Sequence, residues 1–187
     1  VRSSAASDVY KRQEVTYFSP LADTSLPDAG FVYLPGGYPE LYLAALSANR
    51  QMLQSIRRYV ESGGKLLAEC GGMMYLCDEI RDKNGDVYPM AGVLHQSATM
   101  ENMKLRLGYR TLLCNETRLK GHEFHYSRLV EQQNPLPSCA VAYTAKGVET
   151  DTPLYHYKNV WAGYTHLYWA DPVGNEWFTK FVIDGNT

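Results

Sequence analysis

Cys70 is the residue best placed for chemistry, because it stands between a strand-like and a helix-like segment. Lys65–Glu69 has the composition of a buried strand, and the apolar residues after Gly71 and Gly72 recur at helical spacing. On such a turn the sulfur projects above the sheet edge, the helix N-terminus favours the thiolate, and the Gly71 N–H can donate to an oxyanion. We expect the glycines to leave the approach to the sulfur open. A cysteine in a buried strand more often belongs to the core, but these neighbours predict a nucleophile on an elbow.

A cysteine nucleophile requires a base and a second oxyanion donor. The loop that contains Gly36 and Gly37 follows the apolar run Phe31–Leu34, so in a parallel sheet its backbone amides lie at the same carboxyl edge as the nucleophile. A plain glycine turn is the alternative interpretation of this loop. His166 follows another apolar run, which would bring an imidazole to a sheet edge, and it is our first choice of base.

The run His122-Glu123-Phe124-His125 contains residue types that bind metals, but its spacing does not fit a metal site. A zincin helix requires H-E-x-x-H, and here the two histidines are one position too close. The four cysteines contain no C-x-x-C pair, so no zinc site is expected either. In a strand, His122 and Phe124 would share one face while Glu123 and His125 share the other. The run fits a polar ligand-binding strand and a structural strand equally well.

The order of strand-like and helix-like segments predicts an α/β fold with a mainly parallel sheet. From Met103 to Thr111 apolar and polar residues alternate, which predicts an antiparallel extension with its apolar residues half-buried. Short antiparallel ribbons are expected after it on one side of the sheet. The other expected elements are a strand at Glu14–Ser19, a helix at Glu40–Leu46, a helix from a Ser47 cap to Gly63, a helix from Met73 to Ile80, a turn at Lys158-Asn159 and a last helix at Pro172–Ile183.

Composition and charge exclude several classes of function. With 187 residues, of which 45% are hydrophobic and 20% charged, the chain has the size and composition of one globular domain. Eighteen basic and twenty acidic residues give a net charge of −2, so we expect neither a nucleic-acid nor a membrane partner. No apolar run predicts a membrane span or a signal peptide, which favours a cytoplasmic location. Val1–Gln13 resembles a translated adapter, so we predict a foreign or disordered segment at 1–13 and one domain at 14–187.

Longer motifs carry a resemblance to a known family, and they stand in that family's order. The motifs are Leu34–Leu41 (LPGGYPEL), Ala68–Leu76 (AECGGMMYL), Gly108–Arg110 (GYR), Gly121–Ser127 (GHEFHYS) and Tyr164–Leu167 (YTHL). From about Glu14 to Trp177 the chain resembles the C-terminal glutamine amidotransferase domain of cobyrinic acid a,c-diamide synthases. The resemblance implies a class I amidotransferase with a flavodoxin-like architecture.

The same resemblance implies roles for individual residues. Cys70 would attack the side-chain amide of glutamine, and His166 would carry the proton to the leaving ammonia. The glycines Gly36, Gly37 and Gly71 would then form the oxyanion and glutamine-binding site. Ammonia would pass to an N-terminal synthetase domain that uses ATP and Mg²⁺ to activate the a and c carboxylates of a corrinoid. No phosphate-binding P-loop motif occurs in this sequence, so we expect that domain to be absent and no cofactor to bind here.

Two departures from the family pattern affect these expectations. Class I amidotransferases carry a glutamate two residues after the catalytic histidine, where this chain has Tyr168. Glu123 is our candidate for an orienting or substrate-contacting carboxylate, because strand alternation should point Glu69 away from the cysteine side chain. The family domain also opens with a strand and a helix before the segment that Glu14–Pro20 matches. We therefore predict a sheet without its first strand and helix, marginal stability of the isolated chain, and weak or absent glutaminase activity.

Other interpretations stay open. The chain also fits the amidotransferase domain of a cobyric acid synthase or of a nickel-sirohydrochlorin a,c-diamide synthase. A cysteine hydrolase of the PfpI type has an elbow cysteine on a similar sheet, but a histidine commonly follows that cysteine, where Gly71 stands here. The last alternative is an inactive fragment that binds glutamine weakly or not at all.

Overall fold

The computed structural model describes residues 14–184, so the segment 1–13 predicted to be foreign or disordered lies outside the described residues. The described chain folds into three sheets with helices around the first of them. The strands are β1 (Phe31–Leu34), β2 (Lys65–Glu69), β3 (Glu79–Arg81), β4 (Val87–Pro89), β5 (Ser97–Thr99), β6 (Arg106–Cys114), β7 (Thr117–His125), β8 (Arg128–Leu129), β9 (Val141–Thr144), β10 (Glu149–Thr150), β11 (Leu154–Tyr157), β12 (Val160–Gly163) and β13 (His166–Leu167). The α-helices are α1 (Leu43–Ala48), α2 (Arg50–Glu61), α3 (Gly71–Leu76) and α4 (Pro172–Thr179), with a 3-10 turn at Pro39–Leu41 and a π-helical turn at Lys180–Asp184.

The central sheet has the strand order β1-β2-β12-β11 and is covered on both faces. β2 pairs in parallel with β1 and with β12, and β11 and β12 form an antiparallel hairpin. Leu66 and Ala68 pack into one apolar cluster with residues of α1, α2 and α3, whereas Leu67 packs into a second cluster with residues of α4 and the second sheet. Burial on both faces explains why β2 reads as a continuous apolar run and not as an alternating one.

The second sheet is antiparallel and has the order β10-β9-β6-β7-β13. The predicted antiparallel extension is present, but its apolar residues are not half-buried as predicted: Leu107 is 62% exposed and Tyr109 is 75% exposed. The opposite face of β6 points inward, with Leu112 fully buried and Arg110 paired to a buried carboxylate of β7. The alternation of polar and apolar residues predicts that Arg110 faces solvent. Its side chain can point inward because it forms an ion pair with Glu123 inside the fold.

The third sheet is small, with the order β4-β3-β5-β8, and it follows α3. The helix predicted from Met73 to Ile80 ends at Leu76, and Ile80 lies in β3 instead. Ile80 is fully buried there, because its side chain packs into the first apolar cluster. Ile80 therefore continues the helical spacing of apolar residues although it belongs to the strand after the helix.

Several other predicted boundaries shift. Asn49 caps α2 in place of Ser47, because its side-chain oxygen accepts a hydrogen bond from the Met52 N–H at 3.3 Å. The helix Glu40–Leu46 is divided into the 3-10 turn and α1, and the last helix changes to a π-helical turn after Thr179. The turn at Lys158-Asn159 is confirmed, but β12 is an inner strand of the central sheet and not a ribbon at its side.

The segment before β1 differs from the prediction. Glu14–Ser19 forms no strand; Val15 and Tyr17 are exposed, and no described strand pairs with this segment. Residues 14–30 contain no strand, and the described neighbour of β1 is β2. That the sheet lacks a first strand and helix stays a prediction. No helix in residues 14–184 combines the length and apolar composition needed to cross a membrane.

Candidate active site at the end of strand β2

Cys70 lies on a strained elbow between β2 and α3. Its backbone has φ 50° and ψ −111°, a conformation that costs a non-glycine residue on the order of 1–3 kcal/mol. One tertiary and one local hydrogen bond hold it there: the Cys70 N–H donates to the Gly163 carbonyl at 2.8 Å, and the Cys70 carbonyl accepts from the Met74 N–H in the first turn of α3 at 3.1 Å. The elbow predicted from the sequence is therefore present at the carboxyl end of a central parallel strand.

The loop after β1 packs tightly against this elbow. A Cβ atom on Gly71 would lie 2.5 Å from the Gly37 carbonyl oxygen, and one on Gly72 would lie 2.2 Å from the Leu34 carbonyl oxygen. The structure thus gives a different reason for the two glycines from the one predicted. They allow the start of α3 to contact the backbone of β1 and its loop, whereas the prediction gave them the role of leaving the sulfur accessible.

His166 reaches the elbow from the second sheet. It lies in β13, where it pairs with His122 of β7, and the two imidazoles stack with ring centroids 5.1 Å apart. A Cβ atom on Gly36 would lie 2.9 Å from Nε2 of His166 and 3.4 Å from Cβ of Cys70. The loop, the cysteine and the histidine that sequence analysis selected are therefore brought together in space.

Two neighbours favour the protonated form of His166. Its Nδ1 lies 3.4 Å from Oε2 of Glu69. Hydrogen bonding to Cys70, and then to Glu69, raises the pKa of His166 to about 9, although partial burial opposes this change. Burial and the neighbouring His166 lower the pKa of His122. The arrangement favours an imidazolium beside the sulfur at neutral pH.

Glu123 lies in a different environment from the one predicted for an orienting carboxylate. Its side chain is fully buried, with Oε2 2.9 Å from Nη2 of Arg110 and Oε1 accepting a hydrogen bond from the Thr165 hydroxyl at 3.4 Å. Burial alone would raise the pKa of Glu123, but hydrogen bonds from His125 and Thr152 and the charge of Arg110 bring it below its usual value. The structure thus places Glu69, and not Glu123, against His166. As predicted, Glu123 and His125 share one face of β7.

The sulfur faces a small pocket with an aromatic rim. Sγ of Cys70 lies 3.8 Å from the Phe124 carbonyl oxygen, so the β7 backbone forms one wall. The rim side chains are partly exposed, at 52% for Tyr38, 38% for Phe124 and 39% for Tyr126. The full lining is Gly37, Tyr38, Glu40, Cys70, Met74, Phe124, His125, Tyr126 and Ser127.

Sequence reasoning missed Glu69 and this aromatic rim. The sequence does contain a signal for Glu69, since it immediately precedes Cys70, but strand alternation predicts that its side chain points away from that of Cys70. The rim had none, because Phe124 and Tyr126 read as the outward face of an ordinary strand. Among residues 14–184, no group of three or more histidine, cysteine or acidic side chains is arranged to hold a metal ion.

The other cysteines lie apart from this pocket. Cys77 is fully buried, and burial raises the pKa of its thiol. Cys114 and Cys139 lie in the second apolar cluster and hydrogen-bond to each other, which lowers the pKa of Cys114 to about 7. Neither Cys114 nor Cys139 is among the residues that line the pocket. Among the four thiols, Cys70 is the one that lines the pocket beside His166.

Two curated proteins illustrate what this chain is similar to in sequence. The chain is 39% identical over 160 residues to the hydrogenobyrinate a,c-diamide synthase of Pseudomonas aeruginosa, covering 83% of this chain and 35% of that protein. It is 38% identical over 167 residues to the cobyrinate a,c-diamide synthase of Fusobacterium nucleatum, covering 85% of this chain and 36% of that protein. The chain thus spans about a third of the length of the curated relatives it matches.

The fold and the family follow from two further matches. A crystal structure described as a glutamine amidotransferase superposes with a TM-score of 0.57 at 18% identity, covering 95% of this chain and 92% of the other. This likeness confirms the predicted flavodoxin-like, class I amidotransferase fold. Residues 9–173 match the family described as the CobB/CobQ-like glutamine amidotransferase domain, a match that begins inside the segment predicted to be foreign. The chain therefore belongs to the family of CobB/CobQ-like glutamine amidotransferase domains.

Proposed function

We propose that this chain is the glutamine-hydrolysing part of a cobyrinate a,c-diamide synthase, with Cys70 as nucleophile and His166 as acid and base. The observation that carries the proposal is the meeting of Cys70, His166 and Gly36 at the carboxyl edge of the central sheet. The names of the relatives, which are a,c-diamide synthases for cobyrinate or hydrogenobyrinate, support the assignment to this reaction.

In the first half-reaction the Cys70 thiolate attacks the side-chain amide carbon of glutamine. A carbon–sulfur bond forms, and the carbonyl oxygen becomes an oxyanion; in this proposal the backbone N–H groups of Gly36, Gly37 and Gly71 stabilise it. The protonated His166, favoured by its raised pKa, gives its proton to the amide nitrogen. The carbon–nitrogen bond breaks, ammonia leaves, and a glutamyl thioester remains on Cys70.

In the second half-reaction water hydrolyses the thioester. His166, now neutral, takes one proton of the water while the oxygen bonds to the acyl carbon. The carbon–sulfur bond then breaks, which releases glutamate and restores both the thiolate and the imidazolium. The cycle consumes one glutamine and one water, and it yields one glutamate and one ammonia.

Ammonia is the useful product in this proposal. We propose that a separate synthetase domain uses ATP and Mg²⁺ to activate the a and c carboxylates of a corrinoid, and that the ammonia displaces the activated oxygen. The partial coverage of the relatives supports a fused domain, since about two thirds of each relative lies outside the match. The four free cysteines support a reducing, cytoplasmic compartment.

The direct test measures glutamate and ammonia released from glutamine by the chain and by Cys70→Ala. We expect turnover that Cys70→Ala abolishes and that Cys77→Ala, the matched control in the same part of the fold, retains. Equal turnover by the chain and Cys70→Ala would contradict the proposal. Release of glutamate without ammonia in equal amount would contradict amide hydrolysis.

A further inference from the structure

The end of β2 carries a second functional group directly before the nucleophile. Glu69 is 3% exposed in its side chain, and its Oε2 lies 3.4 Å from Nδ1 of His166. We infer that Glu69 is the positioning residue of the site, holding the His166 ring so that Nε2 faces Cys70. This inference rests on the proposed function and adds a third member to its machinery.

The carboxylate of Glu69 is itself held by two other elements. The Tyr33 hydroxyl of β1 donates to Oε2 at 2.7 Å. The Leu167 N–H of β13 donates to Oε1 at 3.0 Å. A buried carboxylate is costly unless it is hydrogen-bonded and paired, and here both oxygens have a donor and one also faces an imidazole. The Glu69 side chain is therefore fixed relative to β1, β2 and β13.

The contact between Glu69 and Nδ1 of His166 determines which ring nitrogen can exchange a proton with the Cys70 sulfur. When Nδ1–H donates to Glu69, Nε2 becomes the nitrogen available to the nucleophile, and the carboxylate stabilises the imidazolium. Nε2 lies on the side of the ring beside Gly36, the residue that also approaches Cβ of Cys70. Glu69 thus acts on the reaction through His166 without touching the substrate.

The strained turn explains how two consecutive residues reach one imidazole. Along a strand, Glu69 and Cys70 would point to opposite faces of the sheet. The positive φ of Cys70 ends the strand at that residue, so the sulfur lies over the sheet edge while Glu69 keeps its strand orientation. His166 lies at the same edge, in contact with both side chains.

The surroundings of His166 point to no other carboxylate for this role. Its titratable neighbours are Cys70 and Glu69 at the end of β2 and His122 of β7. Glu123, on the opposite face of β7 from His122, is engaged by Arg110. Of the acidic side chains in the described part of the chain, Glu69 is the one in contact with His166.

The first measurement does not depend on activity. Histidine ring protons are titrated by NMR in the chain and in Glu69→Gln, with assignment by His166→Gln. We expect His166 to titrate near pH 9 in the parent and closer to the ordinary value of about 6.5 in Glu69→Gln. Glu123→Gln, which removes the other buried carboxylate, should leave the His166 titration in place. An unchanged His166 titration in a folded Glu69→Gln protein would overturn the inference.

The second measurement is steady-state glutamine hydrolysis. Glu69→Gln should lower kcat by about 10²-fold or more with little change in KM, because the ring loses its orientation and the imidazolium its counter-charge. Glu69→Asp should recover part of the loss, and Tyr33→Phe, which removes one donor to the carboxylate, should give a smaller loss. Parent-like kcat and an unshifted pH profile in a folded Glu69→Gln protein would overturn the inference while leaving the proposed function intact. If Glu69→Gln does not fold, the variants Glu69→Asp and Tyr33→Phe test the inference instead. A parent-like kcat and pH profile in both variants would overturn the inference.

The two failures are distinguishable. If the parent chain does not hydrolyse glutamine at all, the proposed function fails, and the NMR titration still tests the Glu69–His166 contact. If the parent hydrolyses glutamine and the Glu69 variants behave like it, only the positioning role fails.

Discussion

Two buried carboxylates flank the pocket, and their surroundings give them different roles. Glu69, at the end of β2, faces a histidine that can change its charge, with a hydroxyl and a backbone N–H as further partners. Glu123, in the middle of β7, faces the guanidinium of Arg110, whose charge is permanent. A carboxylate beside a titratable group can tune that group, whereas a carboxylate beside an arginine forms a fixed ion pair inside the fold.

The comparison also shows how far sequence reasoning reaches. The elbow at Cys70 depends on a strand, a turn and two glycines that adjoin in the chain, so local pattern identified it correctly. The partner of His166 depends on how β13 lies against β7 and on where β2 ends, and neither follows from the residues near His166. Sequence analysis therefore chose Glu123, which lies on the neighbouring strand with its side chain inside the fold.

The second sheet shows the same limit in its burial pattern. The strand itself was predicted near Met103–Thr111, and β6 begins at Arg106. Its buried face was inverted, because Leu107 and Tyr109 suggested an apolar interior while the arginine that in fact points inward suggested solvent. The inward orientation of Arg110 is favourable because Glu123 on the neighbouring strand supplies a counter-ion. A contact between two strands cannot be read from the sequence of either strand alone.

The largest expected effect is the loss of glutamine hydrolysis when His166 is replaced. His166→Ala should reduce glutamine hydrolysis about 10²–10⁴-fold, the range of proton-transfer catalysis, because His166 is the base that hydrogen-bonds to Cys70. Rates of thioester formation and of glutamate release measure it. His122→Ala, which removes the imidazole stacked on His166, is the matched control and should reduce the rate of glutamine hydrolysis less. If His122→Ala abolished thioester formation while His166→Ala left it intact, the two histidines would have to exchange roles.

Removing the arginine tests the structural side of the comparison. Arg110→Met should destabilise the fold by about 3–5 kcal/mol, because it leaves the buried Glu123 carboxylate without its counter-ion. The double variant Arg110→Met/Glu123→Leu should recover most of that loss. Urea denaturation measures both.

A more exposed ion pair on the same strand provides the control. Arg106 pairs with Asp151, whose side chains are 40% and 72% exposed, so Arg106→Met should cost only about 0–1 kcal/mol. Equal losses for Arg106→Met and Arg110→Met would show that the Arg110–Glu123 pair is not the buried element described here.

A methyl group added at Gly36 tests how closely the loop after β1 packs against His166. In Gly36→Ala the new Cβ would lie 2.3 Å from Cε1 of His166, so the imidazole must move. A displacement of this size should lower kcat about 10²-fold. Gly30→Ala, whose Cβ would have no neighbour within 4 Å, is the matched control and should behave like the parent. Parent-like turnover in Gly36→Ala would show that the loop does not constrain the histidine.

The smallest expected effect is a pH dependence of stability. The pKa of His166 is raised to about 9 in the folded chain and lies near 6.5 when unfolded, so its contribution is complete below about pH 6.5 and is lost as the pH rises through 9. The difference in unfolding free energy between the parent and His166→Gln should therefore shrink over that interval. Urea denaturation across the range measures it. A difference that stays constant would mean that Glu69 and Cys70 do not favour the imidazolium.

The central claim is that Cys70 is the nucleophile of a glutaminase. The most direct measurement treats the chain with a glutamine-analogue diazoketone and maps the covalent adduct by peptide mass spectrometry. The account predicts one adduct, on Cys70, that excess glutamine suppresses and that Cys70→Ala lacks. An adduct on Cys77, Cys114 or Cys139 in place of Cys70, or labelling that glutamine does not reduce, would contradict it.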